Sequence, residues 1–166
     1  MDQQGRPRYL LGISEDITER RAAERALAES EERYRELVEL SPDTMLVHQE
    51  GRIVYTNDAG VRLVGAASKT EVLGTLLMDW VAPESLAAVT DNIQRIYAKQ
   101  ISTRTERKIR RVDGITVDVE SGSVLVEYQG KPAIQVILRD ITQRKEVERL
   151  KDELISTVSH ELRTPL

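Results

Sequence analysis

Short runs of apolar and β-branched residues, each bounded by a turn signal, predict five strands in this chain. The predicted strands are Thr44–His48, Arg52–Thr56, Thr103–Val112, Thr116–Glu127 and Ala133–Asp140. The tight hairpin Gln49-Glu50-Gly51 joins the first two, and Asp113-Gly114 and Gln129-Gly130 mark the turns between the last three. Because tight turns join antiparallel neighbours, we expect these strands to form an antiparallel sheet.

The segments between and around these strands predict helices. They are Ile17–Leu40, Asn57–Val64, Lys69–Leu73, Pro83–Gln100 and Ile141–Leu166. Two strands, several short helices and then three strands predict an α+β fold. Its five-stranded antiparallel sheet would carry helices on one face.

The first and last helices each carry an apolar stripe with roughly heptad spacing, which is typical of coiled coils. The stripe residues are Ala23, Leu27, Tyr34, Leu37 and Val38 in the first helix, and Val147, Leu150, Leu154, Ile155, Val158 and Leu162 in the last. We expect these helices to pair between two copies of the chain. The alternative is that the first stripe packs on its own domain.

An internal repeat divides the chain into segments. Gly5-Arg6-Pro7 and Asp16-Ile17-Thr18 recur as Gly130-Lys131-Pro132 and Asp140-Ile141-Thr142. Each copy has the pattern of a turn, a strand and a helix start, with an aspartate at the N-cap; chance recurrence is the alternative. We therefore expect the terminal strand of a truncated upstream domain at 1–16, a linker helix at 17–40, a complete domain at 41–142 and the start of a truncated helical segment at 143–166.

Composition and charge narrow the function classes. The chain has 166 residues, a formal net charge of −4, two histidines and no cysteine. Without cysteine there is no disulfide, thiolate metal site or cysteine nucleophile. The mild acidity argues against nucleic-acid binding, and no apolar run reaches the roughly 20 residues of a membrane span. These features predict a cytoplasmic location.

Two stretches resemble known families. The segment Gly51-Arg52-Ile53-Val54-Tyr55-Thr56-Asn57, the turn Val112-Asp113-Gly114 and the exit Asp140-Ile141-Thr142 occur in this order and resemble a PAS domain. The contiguous segment from Ser156 to Leu166, STVSHELRTPL, resembles the H-box of sensor histidine kinases. Together these stretches indicate a fragment of a PAS-containing sensor histidine kinase.

The resemblance implies a chemistry for the last helix. His160 would be the phosphoacceptor, and Glu161 the acid/base that takes the imidazole proton. The kinase's separate ATP-binding domain would use ATP and magnesium to phosphorylate His160, which would pass the phosphoryl group to a response regulator. No glycine-rich nucleotide loop occurs in this sequence. The implied partners are therefore a second copy of the chain, the ATP-binding domain and a response regulator. A membrane anchor of the parent protein would lie outside this segment.

Other residues are candidates for sensing and transmission. Asp140, Ile141 and Thr142 lie where the last strand meets the last helix, and we expect them to transmit a signal. Tyr55, Leu77, Trp80 and Tyr97 are candidates for lining a pocket for an unknown small ligand, or else fill the core. His48 has no second histidine or cysteine near it, so it indicates no metal site and has a structural or surface role.

The sequence also argues against a haem or flavin cofactor. Haem-binding PAS domains use a histidine on the long helix, and Pro83–Gln100 contains none. Flavin photosensors of this fold use a cysteine, which this chain lacks. We therefore expect no cofactor in this segment. The alternative function is a non-catalytic PAS dimerisation module that binds no ligand.

Overall fold

The computed structural model of the chain describes residues 17–98 and 104–163. These residues fall into two compact units, one ending at Glu36 and the other beginning at Leu37. The strand predicted at 1–16 lies outside the described residues. So do Gln100, the predicted end of a helix, and Thr103, the predicted start of a strand. No helix within 17–98 and 104–163 is long and apolar enough to cross a membrane.

The helices and strands follow the predicted order. The helices are α1 (Thr18–Glu39), α2 (Asp58–Val64), α3 (Lys69–Val72), α4 (Leu86–Tyr97) and α5 (Thr142–Arg163). The strands are β1 (Thr44–Gln49), β2 (Arg52–Thr56), β3 (Thr105–Arg110), β4 (Thr116–Tyr128) and β5 (Lys131–Asp140). Short 3-10 helices at Leu77–Trp80 and Pro83–Ser85 lie between α3 and α4.

The five strands form one antiparallel sheet in the order β2-β1-β5-β4-β3, which confirms the predicted α+β architecture. Two hairpins have two-residue turns in which both residues have positive φ. They are Glu50-Gly51, at 50° and 81°, and Gln129-Gly130, at 51° and 75°. Such turns match the twist of the paired strands, so they set the register of both hairpins. Pairing of β1 with β5 joins the first hairpin to the last three strands.

The predicted helix Pro83–Gln100 is wrong at its start. Pro83 begins a 3-10 turn, and α4 begins at Leu86. The turn is held against β3, because the Lys108 N–H donates to the Ser85 hydroxyl at 2.9 Å and the Ala82 N–H donates to the Lys108 carbonyl at 3.0 Å. These tertiary contacts override the local preference for a continuous helix.

The interior contains two clusters of buried apolar side chains. One contains Ile53, Val64, Val72, Ile109, Val117 and Val119, and the other contains Leu46, Ile96, Ile134 and Val136. Leu77 and Leu138 are partly buried and pack against both clusters. The interior is therefore divided, with these two side chains bridging its parts.

Asn57 and Glu39 fix the end of α1 to the sheet. Asn57 is fully buried; its amide donates to the carbonyls of Val38 and Asp43, and its side-chain oxygen accepts from the N–H groups of Met45 and Gly60. Asn57 is thus the N-cap of α2 as well as a link between α1 and the sheet. The Glu39 carboxylate accepts from the Tyr55 hydroxyl, the Asp58 N–H and the Lys69 ammonium. Burial and this carboxylate raise the pKa of Tyr55 to about 12.

His48 is a buried titratable group in the middle of the sheet. It is 1% exposed and pairs with Ile53 of β2 and Ile134 of β5. Burial among apolar neighbours lowers its pKa to about 4. The imidazole is therefore neutral near pH 7 in the folded chain.

This burial predicts a loss of stability in mild acid. The unfolded chain binds a proton at His48 with an ordinary pKa of about 6.5, whereas the folded chain resists it until about pH 4. The free energy of unfolding should therefore fall as the pH drops through this window, by roughly 3 kcal/mol in all from this residue. Urea unfolding at pH 7.0, 5.5 and 4.5 measures the decline.

Two variants isolate the contribution of this residue, because the chain has only two histidines. His48→Leu should flatten the decline between pH 6.5 and 5, where few carboxylates titrate. His160→Gln removes the other histidine and leaves His48 in place, so the part of the decline that His48 causes should remain in this variant. An equally steep decline in His48→Leu would contradict the assignment.

Candidate functional site

The junction between β5 and α5 couples the sheet to the last helix. The Asp140 carboxylate accepts from the Thr142 N–H at 2.8 Å, so the last residue of the strand caps the helix. Ile141 is 3% exposed, and its N–H donates to the Asp118 carbonyl of β4 at 3.0 Å. The predicted transmission residues Asp140, Ile141 and Thr142 therefore lie together, with one of them anchored in the core. Their role in transmission stays a prediction.

Ion pairs attach the first turn of α5 to neighbouring strands. The Lys145 ammonium lies 2.7 Å from the Glu106 carboxylate of β3 and 3.3 Å from the Asp118 carboxylate of β4. Arg144 bonds the same Glu106 at 3.0 Å. Lys108 lies 3.1 Å from Asp118, so this carboxylate is shared between two lysines. We call Glu106, Asp118, Arg144 and Lys145 the junction cluster.

Proton affinities within the junction cluster reflect these contacts. The hydrogen bond from Lys145 lowers the pKa of Glu106. Burial raises the pKa of Asp118, but hydrogen bonds from Lys108 and Lys145 outweigh it and the net pKa lies below the usual value. Glu106 and Asp118 in turn raise the pKa of Lys145. These shifts keep Glu106, Asp118 and Lys145 charged near neutral pH, and because the side chains are partly exposed each pair contributes little to stability.

The distal half of α5 carries His160 and Glu161 in its last turns, and both are exposed. Residues 164–166, the end of the H-box resemblance, lie outside the described part of the chain. The apolar stripe of this helix is uncovered: Val147, Leu150, Leu154, Ile155, Val158 and Leu162 are all between 45% and 82% exposed. At about 100° per residue, His160 lies roughly opposite Ile155, Val158 and Leu162.

A cavity of about 70 Å³ lies between the sheet and the helices. Of the four candidate pocket residues, Leu77 and Trp80 are among those that line it. Tyr55 and Tyr97 are not among its lining residues. The hydroxyl of Tyr55 bonds Glu39 at the end of α1, and Tyr97 is 45% exposed at the end of α4.

The side chains that line the cavity are mainly apolar. From the strands they include Leu46, Ile53, Ile109, Ile134, Val136 and Leu138, and from the helices Leu63, Val64, Val72, Val89 and Ile93. Within 17–98 and 104–163, no aspartate or glutamate lines the cavity. Polar side chains that line it include Thr44, His48, Asn92, Ser121 and Ser123.

That His48 lines a cavity was not predicted from the sequence. Both of its ring nitrogens are buried with no hydrogen-bond partner in the described part of the chain, and the residue lines the cavity. The period of two along β1 was the available signal, because Thr44, Leu46 and His48 share the inward face. Among residues 17–98 and 104–163, no group of three histidine, cysteine, aspartate or glutamate side chains is arranged to hold a metal ion.

The basic residues of β3 and its flank have partners on the same surface. Arg104 lies 3.8 Å from Glu120, Arg110 donates to the Asp79 carbonyl at 3.1 Å, and Arg111 lies 3.3 Å from Asp113. Arg107 donates to the Glu106 carbonyl at 3.0 Å. The basic side chains of β3 and its flank are therefore paired locally with neighbouring acidic and carbonyl groups.

Comparison with known proteins places these features in one family. The family model of the PAS fold matches residues 32–141. Sporulation kinase A of Bacillus subtilis is 33% identical over 91% of this chain and 27% of its own length. The sensor protein kinase WalK of Staphylococcus aureus is 25% identical over 91% of this chain and 35% of its own length. The chain thus spans about a third of the length of these curated relatives, or less.

Solved structures agree with this fold. The PAS domain of an HTR-like protein from Haloarcula marismortui has a TM-score of 0.61 and 26% identity, over 73% of this chain and 99% of that one. A PAS domain from a two-component sensor histidine kinase has a TM-score of 0.56 and 19% identity, over 68% of this chain and 98% of that one. With the family match and the observed sheet, these similarities show that the chain belongs to the PAS family and is related to the sensor modules of histidine kinases.

Proposed function

We propose that this chain is the sensing or relay module of a two-component sensor histidine kinase, with His160 as the phosphoacceptor. One observation carries the proposal: α5 runs without a break from the core-anchored Ile141 to the turn that contains His160. A helix of 22 residues spans roughly 33 Å at 1.5 Å per residue. A change at the end of the sheet therefore reaches His160 through a rigid element.

The reaction proposed at His160 is phosphoryl transfer from ATP. The unprotonated ring nitrogen attacks the γ-phosphorus, a nitrogen–phosphorus bond forms, and the bond to the leaving ADP oxygen breaks. The carboxylate of Glu161 takes the proton that the imidazole loses. The phosphoryl group then passes to an aspartate of a response regulator, which frees the imidazole.

The rest of the kinase supplies what this chain lacks. A separate ATP-binding domain brings ATP and magnesium to His160. Because ATP and the response regulator are in the cytoplasm, the proposed reaction takes place there. The proposal assigns no haem or flavin to the sensor domain, since a cavity of about 70 Å³ is far smaller than either group.

Phosphate incorporation tests the acceptor. In the full-length kinase, His160→Gln should abolish labelling from radioactive ATP, because glutamine has no nucleophilic nitrogen. His48→Gln is the matched control, since it changes the only other histidine in this chain, and it should still be labelled at His160. This chain mixed with ATP alone should not be labelled. Phosphate on a peptide containing His48, or full labelling of His160→Gln, would contradict the assignment.

Transmission is proposed to run through the junction cluster. Lys145 and Arg144 hold the first turn of α5 against β3 and β4 by contacts that are individually weak. Weak, partly exposed ion pairs suit a switch, because a signalling equilibrium involves only a few kcal/mol. Asp140 caps the same turn, so the strand and the helix end are displaced together.

Kinase activity should respond to the loss of this attachment. We expect Lys145→Met to change the basal autophosphorylation rate of the full-length kinase severalfold while thermal unfolding shifts by no more than a few degrees. Lys151→Met is the matched control, because Lys151 is exposed on the same helix and has no ion pair among the described residues. Equal rates for the two variants would contradict a role for the junction cluster in transmission.

A parallel homodimer is proposed from the exposed stripe of α5. Six large apolar side chains on one helix, none of them buried, favour burial against a second copy. Heptad-like spacing favours a coiled coil over a flat contact. The same stripe favours the alternative that the chain is a PAS dimerisation module without catalytic chemistry, which the labelling of His160 distinguishes.

Association is measurable on this chain directly. Leu150→Glu combined with Leu154→Glu places charges in the stripe and should raise the dimer dissociation constant at least 100-fold, which corresponds to about 2.7 kcal/mol. Sedimentation velocity across a dilution series measures it. The matched control, Lys151→Glu with Asp152→Lys, alters two exposed residues between the leucines and should remain a dimer. An unmodified chain that is monomeric at tens of micromolar would contradict the proposal.

A further inference from the structure

We propose that the cavity between the two clusters of the core binds a small uncharged molecule with one hydrogen-bonding group, which His48 recognises. The inference deepens the proposed sensing function and rests on it, because it names the chemistry of the ligand. It stands on the position, burial and unpartnered nitrogens of His48, and on the size and lining of the cavity.

Burying the imidazole of His48 costs stability unless its ring nitrogens are hydrogen-bonded. A neutral imidazole has one N–H donor and one nitrogen acceptor, and neither finds a partner among the described residues. Leaving a buried polar group unsatisfied costs more than replacing it with an apolar side chain of similar size. The side chain is 1% exposed, so bulk water does not satisfy it. A molecule that hydrogen-bonds the ring would remove this cost, and that gain would favour its binding.

The surroundings of His48 define the rest of the ligand. Its strand neighbours Ile53 and Ile134 are almost fully buried, and both line the cavity. An apolar body is therefore suited to the space beside the ring. Burial keeps the imidazole neutral, since it lowers the pKa of His48 to about 4.

Charge at the cavity argues against an ionic ligand. No carboxylate of the described residues lines it, so a cation would have no counter-ion there. The two basic residues on its lining have partners on the sheet: Lys108 of β3 pairs with Asp118 of β4, and Arg107 donates to the Glu106 carbonyl. A charged group buried without a counter-ion costs far more than a hydroxyl or carbonyl. The ligand is therefore uncharged.

Cavity size limits the ligand to a few atoms. An engineered apolar cavity of about 150 Å³ holds benzene, with six carbons. A cavity of about 70 Å³ therefore holds roughly three non-hydrogen atoms. At the ceiling of about 1.5 kcal/mol per non-hydrogen atom, such a ligand binds with a dissociation constant near 1 mM or weaker. Physiological sensing of this kind would respond to millimolar concentrations.

The cavity is placed to pass its occupancy to the helix. Val136 and Leu138 line it, and both lie on β5, which ends at Asp140. Leu138 also packs against both core clusters. A ligand between the clusters displaces this strand, and with it the junction cluster.

Three probes of matched size test the ligand class. Ethanol carries a hydroxyl on an apolar body, formate is a charged molecule of the same number of non-hydrogen atoms, and xenon fills space without hydrogen bonding. The chain is labelled with nitrogen-15 histidine, which gives signals from only two rings. We expect ethanol to shift the His48 ring nitrogens with saturation in the millimolar range and to leave His160 unchanged. Formate should shift neither ring.

Variants separate recognition by His48 from simple filling of space. His48→Leu should weaken ethanol binding about tenfold, as backbone amide shifts around the cavity report, while xenon binding is kept. The same variant should raise the midpoint of thermal unfolding, because it removes the unsatisfied ring. Val89→Leu fills the cavity and should weaken both probes, whereas Val124→Leu, on an exposed residue of β4, should weaken neither.

The results that would overturn the ligand site differ from those that would overturn the proposed function. Ethanol shifts that persist unchanged in His48→Leu, or binding of formate at equal strength, would overturn the assignment of ligand and residue. Lack of saturation by any probe would show that the cavity takes water only, and would also overturn it. If ethanol binds as expected but leaves autophosphorylation of the full-length kinase unchanged, the binding site stands and the sensing role falls.

Discussion

Antiparallel pairing of β1 with β5 is the interaction on which the rest of the structure depends. It joins the first hairpin to the three strands that follow the helices, and it places elements from opposite ends of the domain side by side. In this pairing His48 lies opposite Ile134, and Thr44 lies opposite Leu138. Because side chains alternate along each strand, the register decides which residues line the cavity. A shift by one residue would move His48 to the outer face and remove the polar group from the interior.

Much of the fold could be predicted because its signals are local. Turn residues with positive φ at Gly51 and Gly130 mark two hairpins, and strand length follows from the apolar runs between such turns. Asn57 as a cap and Asp140 at the helix start are also local signals. The start of α4 could not be predicted, since the hydroxyl of Ser85 bonds Lys108, a residue 23 positions away. Tertiary contacts of this kind leave no trace in a short window of sequence.

The candidate site could be predicted only in part for the same reason. His160 lies in a contiguous motif, so sequence alone identified it, and its chemical role remains a prediction. The cavity is lined by residues from all five strands, from α2, α3 and α4 and from the 3-10 helix Leu77–Trp80, and no sequence period tells which aromatic side chains point inward. Tyr55 lies on a strand next to buried residues, yet its hydroxyl reaches Glu39 instead of the cavity. Glu39 lies near the end of α1, and its position beside Tyr55 depends on the fold of the intervening chain.

Connections to both long helices converge on the same small sheet. Val38 and Glu39 at the end of α1 bond Asn57, Tyr55 and Asp58 around the end of β2 and start of α2, whereas α5 is attached through Asp140 and the junction cluster. β1, the strand that carries His48, lies between β2 and β5, so one route from the first attachment to the second runs through it. A divided core with a polar ring in it is a weak point in packing, since unsatisfied polar groups and voids both reduce stability. Under the proposed sensing function, a molecule bound at this weak point would lie beside β1 and β5, two strands through which the attachments of both helices are connected.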